Sequence, residues 1–354
     1  MKAYKALLHQ QSYQKAKDYQ EALRQQKQTA GNYLAKKLND IDLSALSTEQ
    51  FLEKLVQTKK PQIFAESDVE GNGSDWNQTE LSILGDIGMA VPVQIYDNGR
   101  HSMPKIHPIP FEGMLLYTAG ALLRSSYGKP ADWAELVEAD SKTINKIGYY
   151  QLYERRLLPL LHYADSIAKG KGKKALITIP GLGCGQFAGI FKGRLGKELQ
   201  QALIQILEQH GAQLPNIQAI YYDPYQECQN ETFEINNIGL LVRPLTAGNH
   251  EKSQLSVPKS FNEEQYDFSA CFLFSFVAWD HVSWPGNDFY VGARATDDGV
   301  KAAATSSMFS MTGIEGAYSE KGYHYKPPME FRNWNEVIIK NKIQLNIVDN
   351  LIII

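Results

Sequence analysis

The feature that most constrains the fold is an alternation of short apolar runs with amphipathic segments between residues 175 and 279. The runs ALITI at 175–179, NIQAIYY at 216–222 and SACFLFSFVAW at 269–279 have the length and apolar content of strands buried on both faces of a sheet. Leucines recur every four residues over 195–207, which predicts a helix between the first two strands. This alternation predicts an α/β fold with helices on both faces of the sheet.

The remainder of the chain gives weaker signals for single elements. VPVQIY at 91–96 followed by Asp97-Asn98-Gly99 predicts a strand that enters a hairpin. Pro159 is expected to kink or split the helix predicted over 131–170. The other expected elements are a strand at 239–243, a helix at 299–312 capped by Thr296, β-rich structure at 335–348 and an edge strand or packed tail at 350–354.

The first 65 residues differ in composition from the rest of the chain. They contain much Gln, Lys, Ala and Leu and no proline before Pro61, which predicts helices, and Ser47 with Gln50 fits a capping box. We expect residues 1–65 to form a helical extension and residues 66–354 to form the main domain. The extension is expected to cover that domain, with a partner-binding helical arm as the alternative.

Charge and cysteine content exclude several classes of protein. The 354 residues carry 36 Lys+Arg and 39 Asp+Glu, a net charge of −3, which argues against general binding to nucleic-acid phosphates. Cys184, Cys228 and Cys271 fit neither a metal-ligand pattern nor a disulfide framework, so we expect a reducing, cytoplasmic compartment. No apolar run approaches the ~20 residues that span a bilayer, and no secretory signal is evident, so no membrane contact is expected.

A glycine-rich turn directly follows the first of the apolar runs. Backbone amides of GLGCGQFAG at 181–189 could approach a ligand closely, and a helix start behind them would favour a diphosphate. A tight βα connection without a ligand is the alternative. The dinucleotide fingerprint is not met, because Ala188 stands at its third glycine. The turn also resembles the first motif of S-adenosylmethionine-dependent methyltransferases, although Pro180 stands near their strand-end acid.

A second candidate site begins where the third apolar run ends. The segment 278–308 carries four acids, Asp280, Asp288, Asp297 and Asp298, and its aromatic residues could offer flat surfaces to a base or sugar. Clustered carboxylates suit chemistry at an anomeric carbon, because negative charge stabilises an oxocarbenium-like transition state and a second carboxylate can activate water. An ordinary surface loop and a Mg²⁺ site are the alternatives.

Together, ITIPGLGCGQFAG at 177–189 and WDHVSWPGNDFYVGARATDDGVKAAAT at 279–305 resemble the macrodomain-like ADP-ribosyl hydrolases of the Legionella effector MavL and its relatives. Residues 80–99 and 110–123 support the resemblance, which leaves the first 60 residues outside. It implies a three-layer α/β/α macrodomain-like mixed sheet that binds ADP-ribose and cleaves it from arginine, with ubiquitin as one candidate substrate. It also implies a cytoplasmic protein, with delivery into a host cytosol as an effector.

The resemblance also implies the residues of the site. The catalytic aspartates would be Asp280, Asp288 and Asp298, whose individual roles stay open, as does the choice between Asp297 and Asp298. No metal and no cofactor are expected, ADP-ribose being ligand and product. A non-catalytic ADP-ribose reader and, further off, a methyltransferase are the alternative functions. The other residues expected at ADP-ribose are Gly181, Gly183, Cys184, Gly185, Gln186, Phe187, Asp223 (or Asp86 for the adenine), Trp284, Asn287 and Phe289.

Overall fold

A computed structural model describes residues 4–354 of the chain. Its strands are β1 (Lys5–Leu8), β2 (Gly88–Asp97), β3 (Ile106–Ala119), β4 (Ala175–Pro180), β5 (Ile217–Asp223), β6 (Glu231–Ile235), β7 (Ile238–Val242), β8 (Phe272–Trp279), β9 (Ala317–Ser319), β10 (His324–Lys326) and β11 (Leu351–Ile353). Among the described residues, nine of these strands form one mixed sheet in the order β11-β1-β2-β3-β8-β4-β5-β7-β6, and β9 pairs with β10. The centre of the sheet, from β3 to β7, is parallel.

Helices cover both faces of this sheet. They are α1 (Gln10–Arg24), α2 (Asn32–Leu38), α3 (Thr48–Val56), α4 (Gln78–Asp86), α5 (Trp133–Leu136), α6 (Lys146–Gly170), α7 (Leu195–His210), α8 (Asp297–Ala303), α9 (Ser307–Thr312) and α10 (Trp334–Asn341). Side chains of β4 alternate between two apolar cores: Ile177 and Ile179 face α6 and α7, and Leu176 faces the core that holds α1, α3, α4 and α8–α10. The predicted three-layer α/β/α arrangement is therefore confirmed.

The N-terminal region differs from the purely helical extension that its composition predicted. Residues 5–8 form strand β1, which lies inside the sheet between β11 and β2. Lys, Ala and Leu are good helix formers, so only the tertiary pairing makes this short segment a strand. The helices after β1 pack into the same core as the rest of the chain, and the capping box of Ser47 and Gln50 at the start of α3 is confirmed.

Three further elements differ from their predictions. Helix α6 runs unbroken past Pro159, which is buried within it. The region 335–348, predicted to be β-rich, contains helix α10, because Asn333 caps its start and Trp334, Val337 and Ile338 lie on one buried face. The helix expected at 299–312 is divided into α8 and α9, and Thr296 caps α8 as predicted.

A buried ion cluster joins α4, α5 and α6 below the carboxyl end of β3. The Arg156 guanidinium lies 2.7 Å from Asp132 Oδ1 and 3.2 Å from Asp86 Oδ1. Arg155 lies 3.3 Å from the second Asp86 oxygen and 2.7 Å from Glu135. Because Asp86 is buried and paired in this way, it is not free to contact adenine, and that alternative from the sequence was wrong.

Within residues 4–354, no helix combines the length and the apolar character needed to cross a membrane.

Candidate active site

Both stretches singled out from the sequence leave the same edge of the sheet. Strands β8 and β4 are parallel neighbours, so the acid loop (residues 280–298, after β8) and the glycine turn (181–189, after β4) both start at the carboxyl edge. The segment that follows β3 starts there too, because β3 is parallel to β8. Ligands of open α/β sheets bind at this edge.

Strands β4 and β8 separate before they end. Their pairing stops at Thr178 and Ser275, and beyond this point β8 pairs with β3 while β4 pairs with β5. The first turn of α8 bonds to the freed end of β8: Asp297 accepts a hydrogen bond from the Ala278 amide at 2.8 Å, and buried Lys301 donates to the Phe276 carbonyl. Lys301 also pairs with Asp297 at 3.1 Å. Asp297 therefore holds α8 on the sheet.

Asp288 and Asp298 meet at the hydroxyl of Thr296. Thr296 Oγ1 is 2.7 Å from Asp298 Oδ1 and within hydrogen-bond distance of Asp288 Oδ1. A hydroxyl has one hydrogen to donate, so two ionised carboxylates cannot both be bonded through it. Burial, with the nearby charges of Asp280, Asp288 and Asp297, raises the pKa of Asp298 well above its usual value. An Asp298 that keeps its proton would avoid a second negative charge at this hydroxyl.

These two carboxyls differ in how fully they are bonded. Asp288 Oδ2 accepts from the amides of Ala295 and Thr296 at 2.9 and 3.2 Å, so both its oxygens are engaged. Asp298 Oδ1 also accepts from the Gly299 amide at 2.9 Å, whereas its Oδ2 accepts no hydrogen bond from the described residues. Asp298 is thus the one of the two acids with an oxygen that no described group engages.

Asp280 organises the turn that follows β8. Its Oδ1 accepts from the amides of Val282 and Ser283 at 2.8 and 2.7 Å, and its Oδ2 accepts from Asn287 Nδ2 at 3.0 Å. Burial raises the pKa of Asp280, while the two amides and the ammonium of Lys59 oppose that rise. Each of the three aspartates is 3–5% exposed, so the acids lie just beneath the surface of the carboxyl edge.

The glycine turn offers unpaired backbone amides. Cys184 donates to Gly181 O, but no described group accepts from the amides of Gly185, Gln186 and Phe187. Gly185 and Gln186 are exposed and Phe187 is half-buried, so the turn lies at the surface of the sheet edge. Gly183 lies in the turn with a φ of +73°, which an L side chain rarely adopts. The turn can bind an anion through its own amides.

The helix start expected behind this turn is occupied by protein. A short 3₁₀ segment covers 186–191, and α7 begins only at Leu195. The amides of Gly193 and Gly196 donate to the carboxylate of Glu227 at 3.2 and 2.6 Å. Because Glu227 already fills the anion position of α7, the expectation that this helix faces a diphosphate was wrong.

Gly120 keeps the glycine turn against the segment that follows β3. A Cβ at this position would overlap the backbone nitrogen of Gly183, and the Leu123 amide donates to Phe187 O at 2.8 Å. We expect Gly120→Ala to push the two segments apart and to weaken ADP-ribose binding about tenfold or more, measured by calorimetry. Gly170→Ala is the matched control, because a Cβ there meets no atom. Equal affinities for the two variants would contradict this role.

The aromatic residues of the acid loop do not form a surface platform. Trp284, Phe289 and Tyr290 are at most 5% exposed and belong to the apolar core, with Trp284 Nε1 bonded to Lys59 O at 3.1 Å. Asn287 is buried as well and links Asp280 to the backbone of Ile63. These side chains shape the loop from within, which differs from the predicted stacking role.

The remaining predicted residues lie at the carboxyl edge with different exposure. Cys184 is buried, which raises the pKa of its thiol well above the usual value. Gln186 is exposed and accepts from Arg124 at 2.8 Å, and Phe187 is half-buried. Asp223, at the end of β5, accepts from the amides of Tyr225 and Leu245, and burial raises its pKa.

Sequence reasoning missed two residues of this site. Thr296 was predicted only as a helix cap, yet it bridges two carboxyls; its position beside Asp297 and Asp298 was the available signal. Lys59 is buried beside the acid loop, and nothing in the local sequence distinguishes it from Lys60.

Within residues 4–354, no three His, Cys, Asp or Glu side chains are grouped so that they could hold a metal ion.

The three-layer architecture and the two loops at one carboxyl edge define a macrodomain-like protein. The family described as "Macrodomain effector MavL" matches residues 4–331, nearly the whole chain, and the chain therefore belongs to this family. The match includes the N-terminal helices, which the sequence resemblance left outside. No curated protein matches the chain. Membership indicates an ADP-ribose-directed macrodomain function and, for an effector family, delivery into host cells.

Proposed function

We propose that this protein is a hydrolase that cleaves the N-glycosidic bond between ADP-ribose and arginine of a modified protein. The observation that carries the proposal is the common carboxyl edge, where the free amides of the glycine turn and the free oxygen of Asp298 lie at the ends of adjacent parallel strands. Membership of a macrodomain family supports ADP-ribose as the ligand. The clustered acids support glycosidic cleavage, because they favour positive charge on the sugar.

In this proposal the three aspartates have different tasks. Water attacks C1′ of the distal ribose as the C1′–N bond breaks, and the guanidine nitrogen takes the electron pair together with the proton of Asp298. Asp280, fixed by its two amide bonds, takes the proton of the water. Asp288 holds Thr296 and thereby positions Asp298. Water and carboxyl groups balance the reaction, so we propose that no cofactor takes part.

Leaving-group chemistry favours arginine over other linkages. Guanidine is a strong base and must leave protonated, so an acid with a raised pKa facing it lowers the barrier. The cluster of acidic side chains also attracts the cationic guanidinium before cleavage. A carboxylate-linked ADP-ribose would gain nothing from such an acid, because its leaving group is already weakly basic.

The test follows the release of free ADP-ribose over time. Arginine-linked ADP-ribosyl ubiquitin and a second arginine-modified protein are incubated with the protein, with serine- and glutamate-linked substrates as controls. We expect release from the arginine-linked substrates alone. Binding of ADP-ribose without release would favour the reader, and binding of S-adenosylmethionine in place of ADP-ribose would favour the methyltransferase.

A further inference from the structure

The acid loop ends in a short exit segment (residues 292–296) that leads into α8. This segment contains no helix or strand and is partly exposed. The amides of Ala295 and Thr296 donate to the carboxylate of Asp288, which belongs to the same loop. Among the described residues, every hydrogen bond from the exit segment to a part of the chain outside the acid loop and α8 comes from the side chain of Arg294. Arg294 therefore ties this segment to the rest of the protein.

The Arg294 guanidinium is fully engaged by protein groups. Its Nη1 and Nη2 lie 2.9 and 2.7 Å from the two carboxylate oxygens of Asp97, the last residue of β2. Its Nε and Nη2 donate to Arg100 O at 3.2 and 2.9 Å, and Nη1 also donates to Tyr323 O. These five hydrogen bonds equal the five N–H donors of a guanidinium, so none remains for the phosphate of a ligand.

Asp97 is held in place on the opposite side of this pair. It is 0% exposed, its Oδ1 also accepts from the Gly99 amide at 2.8 Å, and its Oδ2 accepts from Tyr318 Oη at 2.7 Å. A bidentate arginine–carboxylate pair fixes orientation as well as distance. The side chain of Arg294 is therefore anchored to the β2–β3 hairpin and cannot move without leaving a buried carboxylate unpaired.

The carboxyl groups on the other side of the exit segment have little room to adjust. A Cβ at Gly299 would overlap the Asp288 carboxyl, so this carboxyl lies directly against the first turn of α8. The Thr296 hydroxyl is within hydrogen-bond distance of both Asp288 and Asp298. Arg294 is only two residues from Thr296, so a displacement of Arg294 is passed on to the hydroxyl that contacts both acids.

We propose that Arg294 is a positioning residue of the acid loop: through its pair with Asp97 it sets the place of the Thr296 hydroxyl and thereby the placement of the Asp298 carboxyl. This inference rests on the proposed function, in which Asp298 gives its proton to the leaving guanidine. A displacement of about 1 Å at a reacting group can slow a reaction about 100-fold. The β2–β3 hairpin then supports the active site from a distant part of the sequence.

Arg294→Met and Lys105→Met form the matched pair for the test, because Lys105 is an exposed cation of the same hairpin. We expect Arg294→Met to lower kcat for ADP-ribose release about tenfold or more. The affinity for ADP-ribose, measured by calorimetry, should change less than about twofold, because the glycine turn is untouched. Lys105→Met is expected to leave both quantities unchanged. A wild-type kcat in Arg294→Met, or a loss of affinity as large as the loss of kcat, would overturn the inference.

A second measurement does not depend on catalysis. Hydrogen exchange of the Ala295 and Thr296 amides is followed by NMR, and Arg294→Met is expected to speed it about tenfold or more, whereas Lys105→Met leaves it unchanged. Asp97→Asn should act in the same direction. Because both changes disrupt one pair, the double variant should exchange little faster than Arg294→Met alone. Unchanged exchange in Arg294→Met, or single effects that multiply in the double variant, would contradict the anchoring role.

Arg294→Lys separates the remaining outcomes. A lysine keeps the charge but cannot bond both oxygens of Asp97 in the same geometry, so we expect kcat and amide exchange between those of the wild type and Arg294→Met. If Arg294→Met does not fold, exchange in Arg294→Lys decides, and a wild-type rate there would overturn the inference. If the wild type releases no ADP-ribose, the proposed function fails, while amide exchange still tests whether Arg294 holds the exit segment.

Discussion

Asp298→Asn is expected to lower kcat for ADP-ribose release about 100-fold or more, because the variant keeps the shape of the side chain but cannot give up a proton. ADP-ribose affinity should change by no more than a few-fold, since the glycine turn is untouched. Single-turnover release from an arginine-linked substrate measures the first quantity, and calorimetry measures the second. Asp349→Asn, at an exposed position outside the acid loop, is the control.

The same variant should be more stable than the wild type near neutral pH. The raised pKa of Asp298 means that the folded protein keeps a proton that the unfolded chain releases above about pH 4. Wild-type stability is therefore lost as pH rises from there toward the folded-state pKa, and the asparagine variant lacks this loss. A Tm difference that grows with pH over this window is the expected signature. Full turnover in Asp298→Asn would contradict the assignment.

Arg156→Met is expected to lower the free energy of unfolding by about 3–5 kcal/mol, because it leaves Asp132 buried without its main cation and removes one of the two arginines that pair with Asp86. Although burial alone would raise both pKa values, the neighbouring arginines bring the pKa of Asp132 and of Asp86 below the usual range. That contribution to stability is present above the unfolded pKa of about 4 and is lost as pH falls. Urea unfolding at pH 7 and at lower pH measures both effects.

An exposed ion pair provides the comparison for this second variant. Exposed Arg332, which precedes α10, lies 3.5 Å from Glu336 of that helix, and Arg332→Met should change stability by less than about 1 kcal/mol. The wild type should lose stability with falling pH more steeply than Arg156→Met. Similar losses in the two arginine variants would mean that the buried cluster does not stabilise the fold.

The central part of the fold could be predicted because its signals are local. The apolar runs that form β4, β5 and β8 are long enough for each to be recognised as a strand on its own. Thr296 and Ser47 cap helices by bonding to residues only three positions away. Strand β1 could not be predicted in this way. Its pairing partners are residues 88–90 and 351–353, and only that distant pairing makes a strand of four good helix formers.

The candidate site could likewise be predicted only where its signals are local. Aspartates in one loop can be found from their spacing, but the meeting of Asp288 and Asp298 at the Thr296 hydroxyl depends on rotamers and burial that no spacing reveals. The aromatic side chains of the loop were predicted to offer flat surfaces to a base or sugar, whereas they are buried in the apolar core and Trp284 bonds to the backbone of Lys59 in the N-terminal segment. Glu227 reaches α7 from a position 31 residues beyond Gly196, so no local pattern indicated that the helix start was filled.

The outermost strands determine how this sheet meets other chains. Strand β6 carries Glu231 and Glu234, and β11 has only three residues. If an identical molecule docked along β6, its carboxylates would lie close to Glu231 and Glu234. Strand β11, at the other edge, is too short to give an incoming strand many backbone hydrogen bonds. The sheet is thereby protected against growing into fibrils or paired aggregates through its own borders.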